Sequence, residues 1–483
     1  MHFGPGRDLA RSRFATPCAV AMLAAVVWAG CALFRVPEEP PEPSPLQPVW
    51  SDDELEEHLE FLNSGAAAER TTGTQGFARA AEYLSARMRE FRLQPALEGE
   101  FRTVYSTPIN YPISAALRTV IGADSLVFYP GIDILADGRS DSGSVSVRIL
   151  VNTDDTTGIH RAPDVPFGVV FREGRVDATT LALWRSAGAV LAVTVEPLAP
   201  RFYDSRIPGL VAVQIEPVSL LRLISPTAAS APFGEPVRQE RRIVARVRSD
   251  YEPRAGAMNV MGYIAGKHPV NGRDLVLVCA DLDAVSDFAG VPTIDFKNFG
   301  IGTAAILEVA RNLSFVSRRW SLPERSVMIA VWSGSQLGHQ GLRYFLEDPT
   351  WSLPRVTSVI YVGLDEDEEP AVRSLLESRG IPLQAVHPLA EPLFDRPFVL
   401  LPDAAIRRMA RESRRAARLE IEFDDRGIEP NMSALIDSAV VQARTLADAA
   451  YERMMVATTH PGSFHPVRAD TLSLPPDSGD ESP

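Results

Sequence analysis

The chain has 483 residues, 45% hydrophobic and 23% charged, with a net charge of −14. This composition excludes a mostly disordered chain, a collagen-like chain and a multi-span membrane protein. The acidic balance argues against nucleic acid as a partner, and three cysteines are too few for a disulfide scaffold or a multi-cysteine zinc site.

Residues 1–31 read as an address. Arg7, Arg11 and Arg13 precede an apolar run from Phe14 to Phe34, which Trp28-Ala29-Gly30-Cys31 punctuates. A basic start, an apolar core and small residues before a boundary describe a secretory signal. A cysteine directly after Ala-Gly resembles a bacterial lipobox, which implies lipidation at Cys31. The same run also suits an uncleaved helical anchor or plain secretion. All three export the protein to the cell envelope, facing the periplasm or the exterior. Residues 32–50 hold six prolines between Pro37 and Pro48 and read as a stiff tether.

Ser51-Asp52-Asp53-Glu54 predicts a helix start, a capping residue followed by acids on the positive end of the dipole. Leu55, Leu59 and Phe61/Leu62 give it one apolar stripe. The turn-rich Thr71-Thr72-Gly73-Thr74-Gln75-Gly76 leads to a second helix from Ala78 to Phe91, and Gly99 to Val120 reads as extended. Residues 122–250 form a separate block of short β-branched runs: Ser144 to Val151, Phe167 to Phe171, Val190 to Val195 and Leu210 to Ile215. One helix, Asp177 to Ala187, lies among them. The pattern suggests a β-rich inserted domain.

Beyond residue 250 the pattern changes. Val260 to Ile264, Asp274 to Ala280, Ser326 to Trp332 and Val356 to Leu364 are continuous apolar strands, with helices from Gly302 to Leu313 and Leu337 to Leu346 between them. Buried strands alternating with helices predict an α/β fold with parallel strands. Cys279 lies in such a strand and reads as core. Ala404 to Leu419 and Ser433 to Met455 are further helices. Residues 458–483 read as a disordered acidic tail.

Several of these segments, in this order, resemble the M28 family of zinc aminopeptidases. They are Leu59-Glu60-Phe61-Leu62 with Thr72-Gly73-Thr74-Gln75-Gly76, Asn259-Val260-Met261-Gly262-Tyr263-Ile264, Gly302-Thr303-Ala304-Ala305-Ile306-Leu307-Glu308-Val309-Ala310-Arg311, Gly334-Ser335-Gln336-Leu337-Gly338 and Gly341-Leu342-Arg343-Tyr344-Phe345. The inserted block, with Ala187-Gly188-Ala189 and Ile207-Pro208-Gly209-Leu210-Val211, resembles a protease-associated (PA) domain. The resemblance implies an αβα sandwich with a mixed, largely parallel sheet over residues 51–121 and 251–457, interrupted by a PA-like domain over 122–250.

The family holds two zinc ions with His-x-Asp, a bridging Asp, Glu-Glu, a further Asp and a late His. Carried over one at a time, the first His falls on Asp281 and its Asp partner is kept as Asp283. The bridging Asp falls on Asn298, the general-base Glu on Ser335, the neighbouring Glu on Gln336. The further Asp is kept as Asp365, and the late His falls near Gly427. A neutral amide cannot bridge two cations as a carboxylate does, and a serine offers no base. His465, in the tail, and His339, beside Gln336, are weak substitutes. Glu366, Asp367, Glu368 and Glu369 read as a solvated loop. Lys297 stands beside the former bridging position, where its ammonium would offset the charge that metal once offset.

The sequence therefore predicts a pseudopeptidase without cofactor that binds a peptide or protein partner and is held at a membrane by its N-terminus. The alternative is an active aminopeptidase with two zinc ions and atypical ligands. A Ser335-dependent hydrolase finds no identifiable His partner.

Overall fold

A computed structural model describes residues 48–154, 159, 163–285, 287–294, 299–320, 322–388, 398–399 and 432–458. Cys31, Lys297, Asn298, Gly427, His465 and the helix expected over Ala404 to Leu419 lie outside the described residues. Among the described residues no helix is long and apolar enough to cross a membrane.

Helix α1 (Asp52–Asn63) starts where the capping signal puts it. The Ser51 hydroxyl accepts from the Glu54 N–H at 3.2 Å, and Asp52, Asp53 and Glu54 fill the first turn. Leu55, Leu59 and Leu62 are fully buried, each burial worth about 1.5–3 kcal/mol. Helix α2 (Gln75–Glu90) begins one turn earlier than expected, because Thr74 caps it by accepting from the Phe77 N–H. Strand β1 (Gln94–Pro95) precedes the long β2 (Arg102–Ile121) and β3 (Asp124–Phe128).

Next come β4 (Ile134–Ala136), β5 (Gly143–Thr153), β6 (Phe167–Phe171), helix α3 (Ala178–Ser186), β7 (Ala189–Val195) and β8 (Val211–Ile215). Asp177 caps α3, accepting from the Thr180 N–H at 2.7 Å. Strands β5 to β8 pair in parallel, with α3 between β6 and β7, while β4 and β9 join them antiparallel. Strand β9 (Pro236–Ile264) runs for 29 residues without a break at residue 250. Pro253 and Arg254 are taken up where the β2–β9 register shifts between Thr107/Ala255 and Ile109/Glu252. A proline missing its N–H is tolerated at such an irregularity.

The remaining elements are β10 (Leu275–Asp281), the short β11 (Asp287–Phe288) and β12 (Val291–Ile294), α4 (Ile301–Arg319), β13 (Ser326–Trp332), α5 (Gln340–Glu347), β14 (Val356–Val362), α6 (Glu369–Glu377), β15 (Leu383–Val386), β16 (Phe398–Val399) and α7 (Met432–Thr458). The main sheet runs β15-β14-β10-β13-β9-β5-β6-β7-β8-β4. Strands β15, β14, β10 and β13 are parallel, and β9 joins antiparallel. The architecture is thus a mixed, largely parallel α/β sheet.

Alternate residues of the parallel strands serve opposite faces. Val276, Val278, Ala280, Val327, Ile329 and Val331 pack with α1, α2, α4 and α7. Leu277, Cys279, Met328, Ala330 and Trp332 pack with Leu342, Phe345, Val372 and Leu376 of α5 and α6. Both faces are covered, which explains the unbroken apolar runs. The second half of the sheet has its own core, and Val285 after β10, Phe288 of β11 and Leu337 after β13 belong to it.

Candidate functional site

Chain order passes from β10 to β13 on one side, then back across β10 to β14 on the other. In an open α/β sheet the crevice at such a reversal, beyond the carboxyl ends of the strands, is where ligands bind. Asp281 closes β10 opposite Trp332; Ser335 and Gln336 follow β13, and Asp365 follows β14. Four of the sequence-predicted site residues thus leave adjacent strand ends together with Asp283.

Asp283 is the node of this edge. It is 6% exposed. Its Oδ1 accepts from the Thr72 N–H at 3.0 Å and from the Thr72 hydroxyl; its Oδ2 accepts from the Ser335 N–H at 2.8 Å and the Ser335 hydroxyl at 3.3 Å. The Thr72 hydroxyl in turn accepts from the Gly334 N–H at 2.9 Å, and the Thr72 carbonyl accepts from the Tyr111 hydroxyl. One carboxylate therefore ties the 71–74 turn to the loops after β10 and β13. Burial pushes its pKa up to about 6, against the opposing pull of the Thr72 and Ser335 bonds.

Asp281 is half-buried, and its Oδ1 accepts from the Tyr361 hydroxyl at 2.6 Å. Tyr361 is fully buried, and burial together with the nearby Asp281 charge holds its pKa well above the usual tyrosine value. Its hydroxyl is thus a donor to the carboxylate. Gln336 is half-buried, with its Oε1 enclosed and meeting no hydrogen-bond donor among the described residues. Asp365 is half-buried. Its carbonyl accepts the N–H groups of Glu368 and Glu369, which opens α6. The acidic run is accordingly part turn and part helix start: Glu366 and Asp367 are exposed, while Glu369 pairs with Arg373 and lies 2.8 Å from His387 Nε2.

The loop after β13 departs from the expected helix of Leu337 to Leu346. Gly334, Gly338 and His339 all take left-handed conformations, so a single turn over Ser335–Leu337 is separated from α5, which starts only at Gln340. His339 is buried, with its ring edge-on to Tyr361 at 6.2 Å. The loop is braced from below. Ser333 Oγ is 2.8 Å from the Tyr105 hydroxyl, and Asn259 donates to the Gly341 carbonyl at 2.9 Å while its Oδ1 accepts from the Ser333 N–H.

A small pocket opens here. Asp283, Gly334 and Gln336 line it from one half of the sheet and Ile109 and Phe202 from the other. Phe202 packs edge-on against Phe288 at 5.2 Å. Sequence reasoning missed Tyr105, Tyr361, Ile109 and Phe202, which carry no motif. Thr72 lies in the turn-rich Thr71–Gly76 segment.

The donor chemistry differs from that of a two-zinc centre. Both oxygens of Asp283 are engaged by protein donors, Asp281 stands where a histidine nitrogen would be, and Ser335 and Gln336 supply a hydroxyl and an amide in place of carboxylates. Zinc sites are built from His, Cys and carboxylate ligands; of the positions expected to supply them, the described residues keep carboxylates at Asp281, Asp283 and Asp365 alone.

No protein-family model and no curated protein sequence matches the chain. Among solved structures, it is similar to the aminopeptidase from Aneurinibacillus sp. strain AM-1, with 12% identity and a TM-score of 0.54 over 86% of this chain and 97% of that one. It also matches a zinc aminopeptidase from Bacillus subtilis at 14% identity and a TM-score of 0.49, over 84% of this chain and 96% of that one. The chain shares its fold with the Aneurinibacillus aminopeptidase. At such identity the likeness speaks to the fold and not to the chemistry of the site.

Proposed function

We propose that this protein is an exported, membrane-anchored pseudopeptidase that binds a peptide or protein partner and does not hydrolyse it. The observation that carries this reading is the state of the Asp283–Ser335 junction. The residue at the general-base position is a serine whose N–H and hydroxyl both donate to a buried carboxylate. It therefore serves to hold the loop. Losing a general base typically costs ~10²–10⁴ in rate, and the neighbouring neutral amide weakens any metal that would activate water. The N-terminal address and the tether support export and anchoring, and the block over 122–250 is read as the PA-like part that flanks the mouth. Phe202 of that block reaches the pocket, in keeping with a role in docking.

The test is hydrolysis of aminoacyl anilides and short peptides by the protein from Val49 to Thr459 with added Zn²⁺. No turnover above the buffer rate is expected. Zinc-dependent turnover abolished by Asp281→Asn would overturn the reading in favour of an aminopeptidase with atypical ligands.

Lys297 and Asn298 enter this reading from the sequence alone. An ammonium beside the former bridging position that reaches Asp281, Asp283 or Asp365 would offset charge there. Lys297→Ala is then expected to lower the melting temperature by several degrees; an unchanged melting temperature removes Lys297 from the reading.

A further inference from the structure

A second cluster lies away from the strand ends. Glu54 and His58 stand one turn apart on α1, beside Glu308 of α4, and one ligating atom of each lies within 4.8 Å of the other two. His58 is fully buried; its Nδ1 is 2.7 Å from the Tyr83 hydroxyl, and its Nε2 is enclosed without a hydrogen-bond partner. Glu308 is also fully buried. Arg311 donates to both of its oxygens at 2.7 and 2.8 Å, and the Ser51 N–H donates at 3.2 Å. Glu54 is half-buried and gives one oxygen to Arg87.

A buried polar atom without a partner is costly, and native proteins seldom keep one without a bound water or ion to answer it. Here the orphan is a nitrogen of an imidazole that shares its cluster with two carboxylates. Burial, with Arg87 and Arg311 adding to it, holds the ring neutral, which is the form that ligates. In the tautomer whose Nδ1–H donates to Tyr83, Nε2 presents a lone pair. A metal-ligating histidine makes the same outward hydrogen bond from its other nitrogen.

We propose that Glu54, His58 and Glu308 bind one divalent transition-metal ion, Zn²⁺ first among them, with water completing the shell on the half-exposed Glu54 side. One imidazole and two carboxylates plus water is a zinc-compatible set. Each ionised carboxylate has about four lone-pair positions, so the arginines leave room for a metal on the same groups. Their positive charge lowers its affinity, and micromolar binding is expected in place of the far tighter grip of a closed structural zinc site. The ion would pin α1 to α4 where the chain enters the domain. There Val49 already bonds to Asn312, Trp50 to Asp448 and Ser51 to Glu308.

The experiment is a calorimetric Zn²⁺ titration of the full-length protein, stripped of metal beforehand, with the melting temperature followed in parallel. One equivalent should bind at micromolar concentration and raise the melting temperature. Glu54→Gln, a change at the half-exposed edge, should weaken binding about tenfold or more, and His58→Asn should abolish it, whereas Asp281→Asn should leave it unchanged. Absence of binding, or binding indifferent to both Glu54→Gln and His58→Asn, overturns the proposal. Binding lost with Asp281→Asn also overturns it, and separately counts against the pseudopeptidase reading by placing the metal at the strand ends.

Discussion

Replacing Asp283 by alanine is expected to cost the folded state about 3 kcal/mol, measured as a shift in urea midpoint. The substitution leaves the N–H groups and hydroxyls of Thr72 and Ser335 without their acceptor. Each buried donor so orphaned costs about 1–3 kcal/mol. The full sum is not expected, because the wild-type carboxylate is itself buried at a cost. Its pKa of about 6 lies above the ordinary 3.8, which disfavours the ionised form by about 3 kcal/mol relative to the protonated one. The sign of the pH dependence follows from the same shift. Between pH 4 and 6 the folded state binds more protons at Asp283 than the unfolded state does, so this contribution is present below pH 4 and is lost as pH rises through 6. Asp283→Asn should remove that slope. His58, whose pKa burial and two arginines depress to about 3, titrates in the opposite sense. It is common to both proteins and cancels in their difference. An Asp283→Asn profile parallel to that of the wild type would show that the carboxylate does not titrate in this window.

Gly341→Ala is expected to destabilise by about 1–3 kcal/mol, as overpacking does when backbone must yield, and to loosen the loop after β13. A Cβ at this position would stand 2.4 Å from Asn259 Oδ1, 2.6 Å from the Ser333 carbonyl oxygen and 2.8 Å from the Ser333 nitrogen. Two of these are main-chain atoms, so relief requires moving the Ser333–Gly334–Ser335 segment that donates to Asp283. The same shift would break the Asn259 bonds to Ser333 and Gly341. Gly338→Ala is the matched control for space, since a Cβ at that glycine meets nothing within 4 Å; its left-handed φ of 76° leaves backbone strain as its only cost. If Gly341→Ala proves no costlier than Gly338→Ala, the close approach of α5 to the loop is not what positions Ser335.

The starts of α1 and α3 were legible because capping is a local event. Ser51 and Asp177 each satisfy an N–H three residues on, and a hydroxyl or carboxylate needs no distant partner to do so; the cap by Thr74 is hidden inside a turn-rich patch, and α2 starts one turn before the expected Ala78. The parallel core was legible because a strand covered on both faces has no polar side to show. Helix α5 starts at Gln340 and not at the expected Leu337, because the consecutive left-handed residues Gly338 and His339 break the helical path before it. The character of the 122–250 block was only half visible. Short β-branched runs announce strands, yet whether those strands pair in parallel depends on which neighbours they find.

At the site, the sequence determined which groups are present: a serine and an amide where the resembling family has carboxylates, and an aspartate where it has histidine. It also fixed the spacing that puts them after successive strands. Only the tertiary structure decided what those groups do. Asp283 is bound to Thr72 and Ser335, residues 211 and 52 positions away in the chain, and Asp281 to Tyr361, 80 positions away. Composition and periodicity record where a side chain prefers to be. The partner that occupies a carboxylate's lone pairs is fixed by strand register and loop closure, and those are properties of the packed sheet.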